Sequence, residues 1–275
     1  MSATLITVAP TGAEHAKSDV PELPVTLDEL VATARACEAA GAAMIHVHIR
    51  DDEARPTLDL IRLRDTVAAL RAATTLVVQL STGGAVTDAE PDRLRVLDAL
   101  PDSASCTMGT VNFGDDVFVN RWQFIVTLHQ AMQQRGIAPE YEIFDLGQLA
   151  TLRRLLDQHG EPPGGHVHVD LVMGVPGGMP GDTATLVAAV AQLPEGASFS
   201  ATGIGRVHLP VALAALSAGG HLRVGMEDTL SFARGERVAS NAQLVERAAG
   251  LASTAQRPPM GSAAAREMLG IDAVG

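Results

Sequence analysis

Short runs of β-branched and aliphatic residues alternate along this chain with longer stretches in which Ala and Leu recur at helical spacing. The strand-like runs fall at 5–10 (LITVAP), 44–49 (MIHVHI), 75–81 (TLVVQLS) and 103–108 (SASCTM), then at 140–145 (EYEIFD), 166–173 (HVHVDLVM), 198–205 (SFSATGIG) and 221–228 (HLRVGMED). Helical patterns fill the gaps. The first opens at Thr26, an N-cap with Glu29 three residues on, and closes near Gly41. Others span about 58–73, begin at Pro91, cover 120–135, end near His159 and occupy about 240–252. A Gly/Pro loop, GVPGGMPGD, leads from the sixth strand into its helix.

Eight strand–helix pairs in sequence predict a parallel sheet with helical crossovers. The count of eight favours an α/β fold closed as a single (β/α)8 TIM barrel over an open doubly wound sheet. No linker or low-complexity stretch divides the chain, so residues 1–275 read as one catalytic domain with a short helical tail at about 256–275. The 275 residues slightly exceed the roughly 250 typical of such a barrel.

Composition narrows the picture. Apolar residues make up 47% but aromatics only 3%, so the core must be filled by Val, Leu, Ile and Ala. The net charge of −12 with no basic run argues against a nucleic-acid surface. Cys37 and Cys106 are too few and too isolated for a disulfide framework or a cysteine zinc cluster. The N-terminus lacks a basic leader, and no run approaches the ~20 apolar residues of a membrane span. A cytoplasmic protein is expected.

In such a barrel the C-terminal ends of the strands face the active site, which filters the polar residues. His46 and His48 are two apart near the end of the second strand, so both side chains leave one face. They are either two ligands of a divalent metal or a hydrogen-bonded pair. His166 and His168 have the same spacing but begin their strand, at the barrel floor, and read as structural. The eighth strand ends with Arg223, Gly225 and Glu227 on one face and Asp228 after them. Barrel closure brings that end near the second strand, where Glu227 can complete a His2Glu site with an open fourth position. Asp228 is then a candidate base held ionised by Arg223, the bland alternative being a salt-bridged strand end. Thr11 to Glu14, Ser81 to Gly84, Thr107 to Phe113, and Glu140, Glu142 and Asp145 crowd other strand ends. Gly83 and Gly84 let backbone N–H groups approach an anionic ligand.

Seven segments, TVAPTGAE (7–14), HVHIRD (46–51), QLSTGG (79–84), TMGTVNF (107–113), PEYEIFD (139–145), GVPGGMP (174–180) and RVGMED (223–228), occur in an order that resembles the β-keto acid cleavage enzymes. The resemblance implies a barrel binding one divalent ion, usually Zn2+, per subunit. It also implies an acyltransferase exchange of a β-keto acid with acetyl-CoA, giving acetoacetate and a new acyl-CoA. Carried over, His46, His48 and Glu227 hold the metal. Asp228 is the base, supported by Arg223 and a hydroxyl of the Ser81–Thr82 pair, Ser81 being favoured. Glu14, Thr107, Asn112 and Glu142, with Thr82, Gly83 and Gly84, fall in substrate-lining segments. Relatives are commonly homo-oligomers, dimer or tetramer. Glu14 and Glu142 make a cationic or polar substrate tail the expectation. The rivals are a metal-dependent aldolase or decarboxylase needing no CoA, and a non-catalytic binding barrel.

Overall fold

A computed structural model describes residues 3–271 of the chain. Eight parallel strands close a barrel: β1 (Ile6–Val8), β2 (Met44–Val47), β3 (Val77–Leu80), β4 (Ser103–Thr107), β5 (Ala138–Ile143), β6 (His168–Met173), β7 (Ser198–Gly203) and β8 (His221–Val224). Closure is made by β1, which pairs Thr7 with Arg223 of β8 on one side and with Met44 of β2 on the other. The helices α1 (Leu27–Ala40), α2 (Leu60–Ala73), α3 (Glu90–Arg95), α4 (Trp122–Arg135), α5 (Leu146–His159), α6 (Thr183–Val190), α7 (His208–Ser217) and α8 (Asn241–Thr254) follow the strands in turn.

The expected capping box at Thr26 is present: Glu29 N donates to Thr26 Oγ1 and Thr26 N donates to Glu29 Oε2. Gly41 ends α1 at φ 112°, a conformation that favours glycine. The helix expected from Pro91 is only six residues long and passes into a 3-10 turn at Val96–Ala99. Of the expected tail, Ser262–Leu269 forms α9; residues 272–275 lie outside the described residues. That helix packs Ala265 and Leu269 with Met260 against Leu5, Met44 and Val77, closing one side of the barrel floor.

Alternate strand residues such as Val8, Ile45, Val78, Leu80, Tyr141, Leu171 and Leu222 join the helices in one large apolar cluster. The other alternate set is polar and buried: Thr7, His46, Gln79, Ser105, Glu140, Asp170, Ser200 and Arg223. Bulky aliphatic residues usually fill a barrel of this kind, so the polar lining pairs within itself where it can, although the Thr7 hydroxyl has no hydrogen-bond partner among the described residues. Thr202 Oγ1 accordingly donates to Asp170, and Gln79 Nε2 donates to Ser103 Oγ.

Three antiparallel hairpins decorate loops that leave the strand ends: Ile49–Arg50 with Pro56–Thr57, Val111–Phe113 with Asp116–Phe118, and Ser231–Ala233 with Glu236–Arg237. Strand-length apolar runs do not announce them because each arm has only two or three residues. Seven of the barrel strands are also shorter than their expected runs, and the fifth keeps its length but begins two residues earlier, at Ala138. The eighth stops at Val224, so Glu227 and Asp228 sit in a turn beyond it.

Candidate active site

His46 projects from β2, and His48 follows it directly at the strand's end, with ring centroids 5.3 Å apart. His46 is 1% exposed. Its Nδ1 lies 2.5 Å from Gln79 Oε1, in register on the neighbouring strand. Because the Gln79 amide group donates to Ser103 Oγ at 3.1 Å, its oxygen faces His46. Nδ1 therefore carries the proton, and the Nε2 lone pair is aimed at the cleft.

Glu227 reaches the histidines through a turn, a correction to the strand-face reading. Alternation along a strand would have pointed Asp228 away from Glu227. Asp228 N and Thr229 N instead donate to Gly225 O, and Glu227 N donates to Ala9 O. Both carboxylates thereby reach Arg223. Close backbone approach makes this possible, since a Cβ on Gly225 would stand 1.9 Å from Ala9 O. Asn241 fastens the same corner: its Oδ1 accepts from Met226 N and its Nδ2 donates to Pro10 O.

The Nε2 atoms of His46 and His48 lie 3.8 and 3.6 Å from Glu227 Oε1. One ligand atom from each residue lies within 4.8 Å of the others. Glu227 Oε2 is buried with no hydrogen-bond partner among the described residues. Burial lowers the His46 pKa to about 4 and lowers that of His48, so both imidazoles are neutral and free to coordinate. Burial alone would raise the Glu227 pKa, but the charge of Arg223 and the hydrogen bond it donates hold the carboxyl well below the usual carboxylate range. Neutral nitrogen donors beside an ionised carboxylate with an orphaned oxygen fit a divalent ion.

Arg223, 5% exposed, organises the carboxylates. Its Nη2 donates to Glu227 Oε1 at 2.5 Å and to Asp228 Oδ1 at 3.0 Å, and its Nε donates to Asp228 Oδ2 at 3.3 Å. Its Nη1 stands 3.5 Å from Glu142 Oε1. Burial raises the Asp228 pKa to about 7 against the pull of Arg223, and raises that of Glu142 to about 7. A carboxyl poised near neutrality suits general-base work.

A cavity of about 450 Å3 opens over this group and is lined by Glu14, His46, His48, Ser81, Gly83, Gly84, Glu142, Arg223, Glu227 and Asp228 among others. Four expected residues sit differently. Thr82 turns away: its hydroxyl donates to Ser105 O and its N–H donates to Ser105 Oγ, fixing the loop from behind. Thr107 is buried, with its hydroxyl donating to Glu142 Oε2 at 2.7 Å, so it positions Glu142 instead of facing the cavity. Asn112 is exposed on a hairpin, its backbone against Gly177. The Gly83 N–H, expected to meet a ligand, donates to Ser81 Oγ at 3.1 Å. Glu14 stands exposed at the rim beside the charge of Arg50, whose Nη2 donates to Gly12 O and His15 O.

Asp145 lies beyond its strand and caps α5. His166 and His168 share the Ser198 hydroxyl at 2.7 Å each, as the floor position predicts. Burial pushes the Cys106 thiol up to about 12, so it is no thiolate nucleophile. Gln79 and Asn241 escaped the sequence reading. The only trace of Gln79 was an amide in an otherwise apolar strand, and Asn241 sits at a helix start far along the chain.

A sequence profile described as beta-keto acid cleavage enzyme matches residues 3–271. The 3-keto-5-aminohexanoate cleavage enzyme of Acetoanaerobium sticklandii is 37% identical over 98% of this chain and 99% of its own. The 3-oxoadipate:acetyl-CoA acetyltransferase of Cupriavidus necator is 34% identical over 97% and 94%. The apo structure of ObcA superposes with a TM-score of 0.77 at 18% identity, over 91% of this chain and 66% of that one, which speaks to the barrel alone.

Proposed function

We propose that this chain, which belongs to the beta-keto acid cleavage enzyme family, exchanges a β-keto acid with acetyl-CoA to give acetoacetate and a new acyl-CoA. The observation that carries the reading is Asp228, buried beside an open His46–His48–Glu227 triangle and bonded to Arg223. A divalent ion held by those three residues, zinc by its donor set, would supply Lewis-acid stabilisation of the negative charge that develops on the keto acid's oxygens.

Asp228 takes the proton from the α-carbon between the carboxylate and the keto group. Arg223 keeps Asp228 oriented and favours its ionised form. The α-carbanion attacks the thioester carbonyl of acetyl-CoA, forming the new carbon–carbon bond. CoA sulfur moves to the former keto carbon, and the original bond between that carbon and the α-carbon breaks. The α-carbon leaves as part of acetoacetate and regains its proton from Asp228. Ser81, at the cleft wall with its Oγ accepting from Gly83 N, fixes the adjacent loop and can donate its hydroxyl proton toward substrate. No protein nucleophile takes part.

The test is purified protein given a panel of β-keto acids with and without acetyl-CoA, read by mass spectrometry of acyl-CoA products alongside metal analysis. Acetyl-CoA-dependent acyl-CoA and acetoacetate in equal amounts are expected. Loss of the keto acid without acetyl-CoA would indicate an aldolase or decarboxylase and overturn the reading. His46→Ala and Glu227→Ala should each lose stoichiometric zinc; retention in both would sink the assigned metal site.

A further inference from the structure

The cleft has two unlike halves. Its inner end is polar, built from His46, His48, Arg223, Glu227 and Asp228. Its outer wall is apolar, formed by Phe113, Phe118, Phe144, Val172, Val175 and Ile204. This wall belongs to an apolar cluster separate from the main core. The chain has only six phenylalanines, one tryptophan and one tyrosine, yet three of the phenylalanines gather here. Phe113 meets Phe118 and Phe144 edge-to-face, with centroids 6.4 and 6.1 Å away.

Packing the hairpin Val111–Phe113/Asp116–Phe118 onto the barrel accounts for the members that are fully covered. It does not account for Phe113 and Ile204, which are only partly buried and border the cavity. They come from different loops and leave apolar surface facing the path out of the polar end. The carboxylates that share this cavity with the wall are either paired or exposed to solvent. Glu142 is held by Thr107 and Arg223 at the inner end. Glu14, Asp115 and Asp116 are exposed at the rim, where solvated carboxylates contribute little to binding. An ammonium group drawn along the phenylalanine wall would lose water there, while Glu14, Asp115 and Asp116 stay solvated at the rim.

We infer that the substituent beyond the keto carbon is uncharged and apolar, an alkyl or aryl tail, and that Phe113 and Ile204 determine this specificity. The inference rests on the exchange reading above and replaces the cationic tail expected from Glu14 and Glu142.

Three six-carbon 3-oxo acids, ending in methyl, ammonium or carboxylate, test it in two assays. One is kcat/KM for acyl-CoA formation with acetyl-CoA. The other is calorimetric binding of each acid to the metal-loaded protein without acetyl-CoA. The methyl-ended acid should lead by at least tenfold in both. Lengthening its tail should gain about fourfold per methylene, the equivalent of ~0.8 kcal/mol, until the wall is covered. Phe113→Ser and, on a different loop, Ile204→Ser should each reduce the preference for the methyl-ended acid, chiefly through KM, and Phe113→Leu should restore most of it. Equal handling of the three acids, or a preference for the ammonium acid, would overturn the inference. No turnover with any acid, while the methyl-ended one still binds most tightly, would overturn the exchange reading and leave the tail assignment standing.

Discussion

Gln79 Oε1 lies 2.5 Å from His46 Nδ1, and the strand register that sets them side by side also selects which imidazole nitrogen is turned toward Glu227. A glutamine donating its amide hydrogens to Ser103 has only its oxygen left to offer His46. Among the described residues His48 has no such partner on a neighbouring barrel strand, so the two imidazoles are oriented by different means.

Gln79→Leu should keep the barrel folded but weaken zinc binding by about 10–100-fold, the range for lost partners of metal-ligating histidines. Competition with a chromophoric chelator measures this directly. An unchanged zinc affinity, with unaltered circular dichroism, would show that the ring is oriented by packing alone.

The pH profile should report Asp228. As the base, it must be ionised, so kcat/KM should fall as pH drops through its pKa, which lies near 7 because burial outweighs the pull of Arg223. A bound divalent cation nearby favours the ionised form and moves this limb lower. Arg223→Met removes a charge that stabilises the carboxylate, so the limb should shift to higher pH as well as losing height. Asp228→Asn should lower kcat by about 100- to 10,000-fold. An acid limb in the same place for Arg223→Met as for the wild type would argue against this pairing.

Asp102 is a stability device at the other end of the barrel. It accepts from Val78 N of β3, from Arg71 of α2 and from Arg266 of α9. Burial would raise its pKa, but the bonds from Arg266, Val78 and Arg71 outweigh that and hold it below 3.8. A folded-state pKa below the unfolded one means the stabilisation is present above pH ~4 and is lost as pH falls through the folded value. Asp102→Asn should cost about 3 kcal/mol at pH 7, the low end for a broken buried pair because Arg71 is partly exposed. Urea unfolding of both proteins from pH 7 to 3 checks it. The gap should narrow on the acid side, and a gap independent of pH would show that charge is not the cause.

Much of this molecule is written in local periodicity. Alternation of apolar runs with helical stretches determines eight βα units, and their number favours the closure that β1 completes by pairing with β8. The spacing of His46 and His48 determines that both leave one strand face, and their place late in the run separates them from His166 and His168. These features depend on backbone repeats of 2 and 3.6 residues, which any window of sequence carries.

Tertiary structure decided the rest. Where β8 stops depends on Gly225 pressing against Ala9, more than two hundred residues earlier, and only the resulting turn brings Glu227 and Asp228 together on Arg223. That Ser81 rather than Thr82 borders the cleft follows from the Ser105 groups on the adjacent strand, which engage Thr82. The apolar wall joins Phe113, Phe144 and Ile204 from three separate loops. A residue's own sequence neighbourhood fixes which way its side chain leaves the backbone. What that side chain meets is set by strand register and loop closure across the barrel, and those couple positions that no local pattern connects.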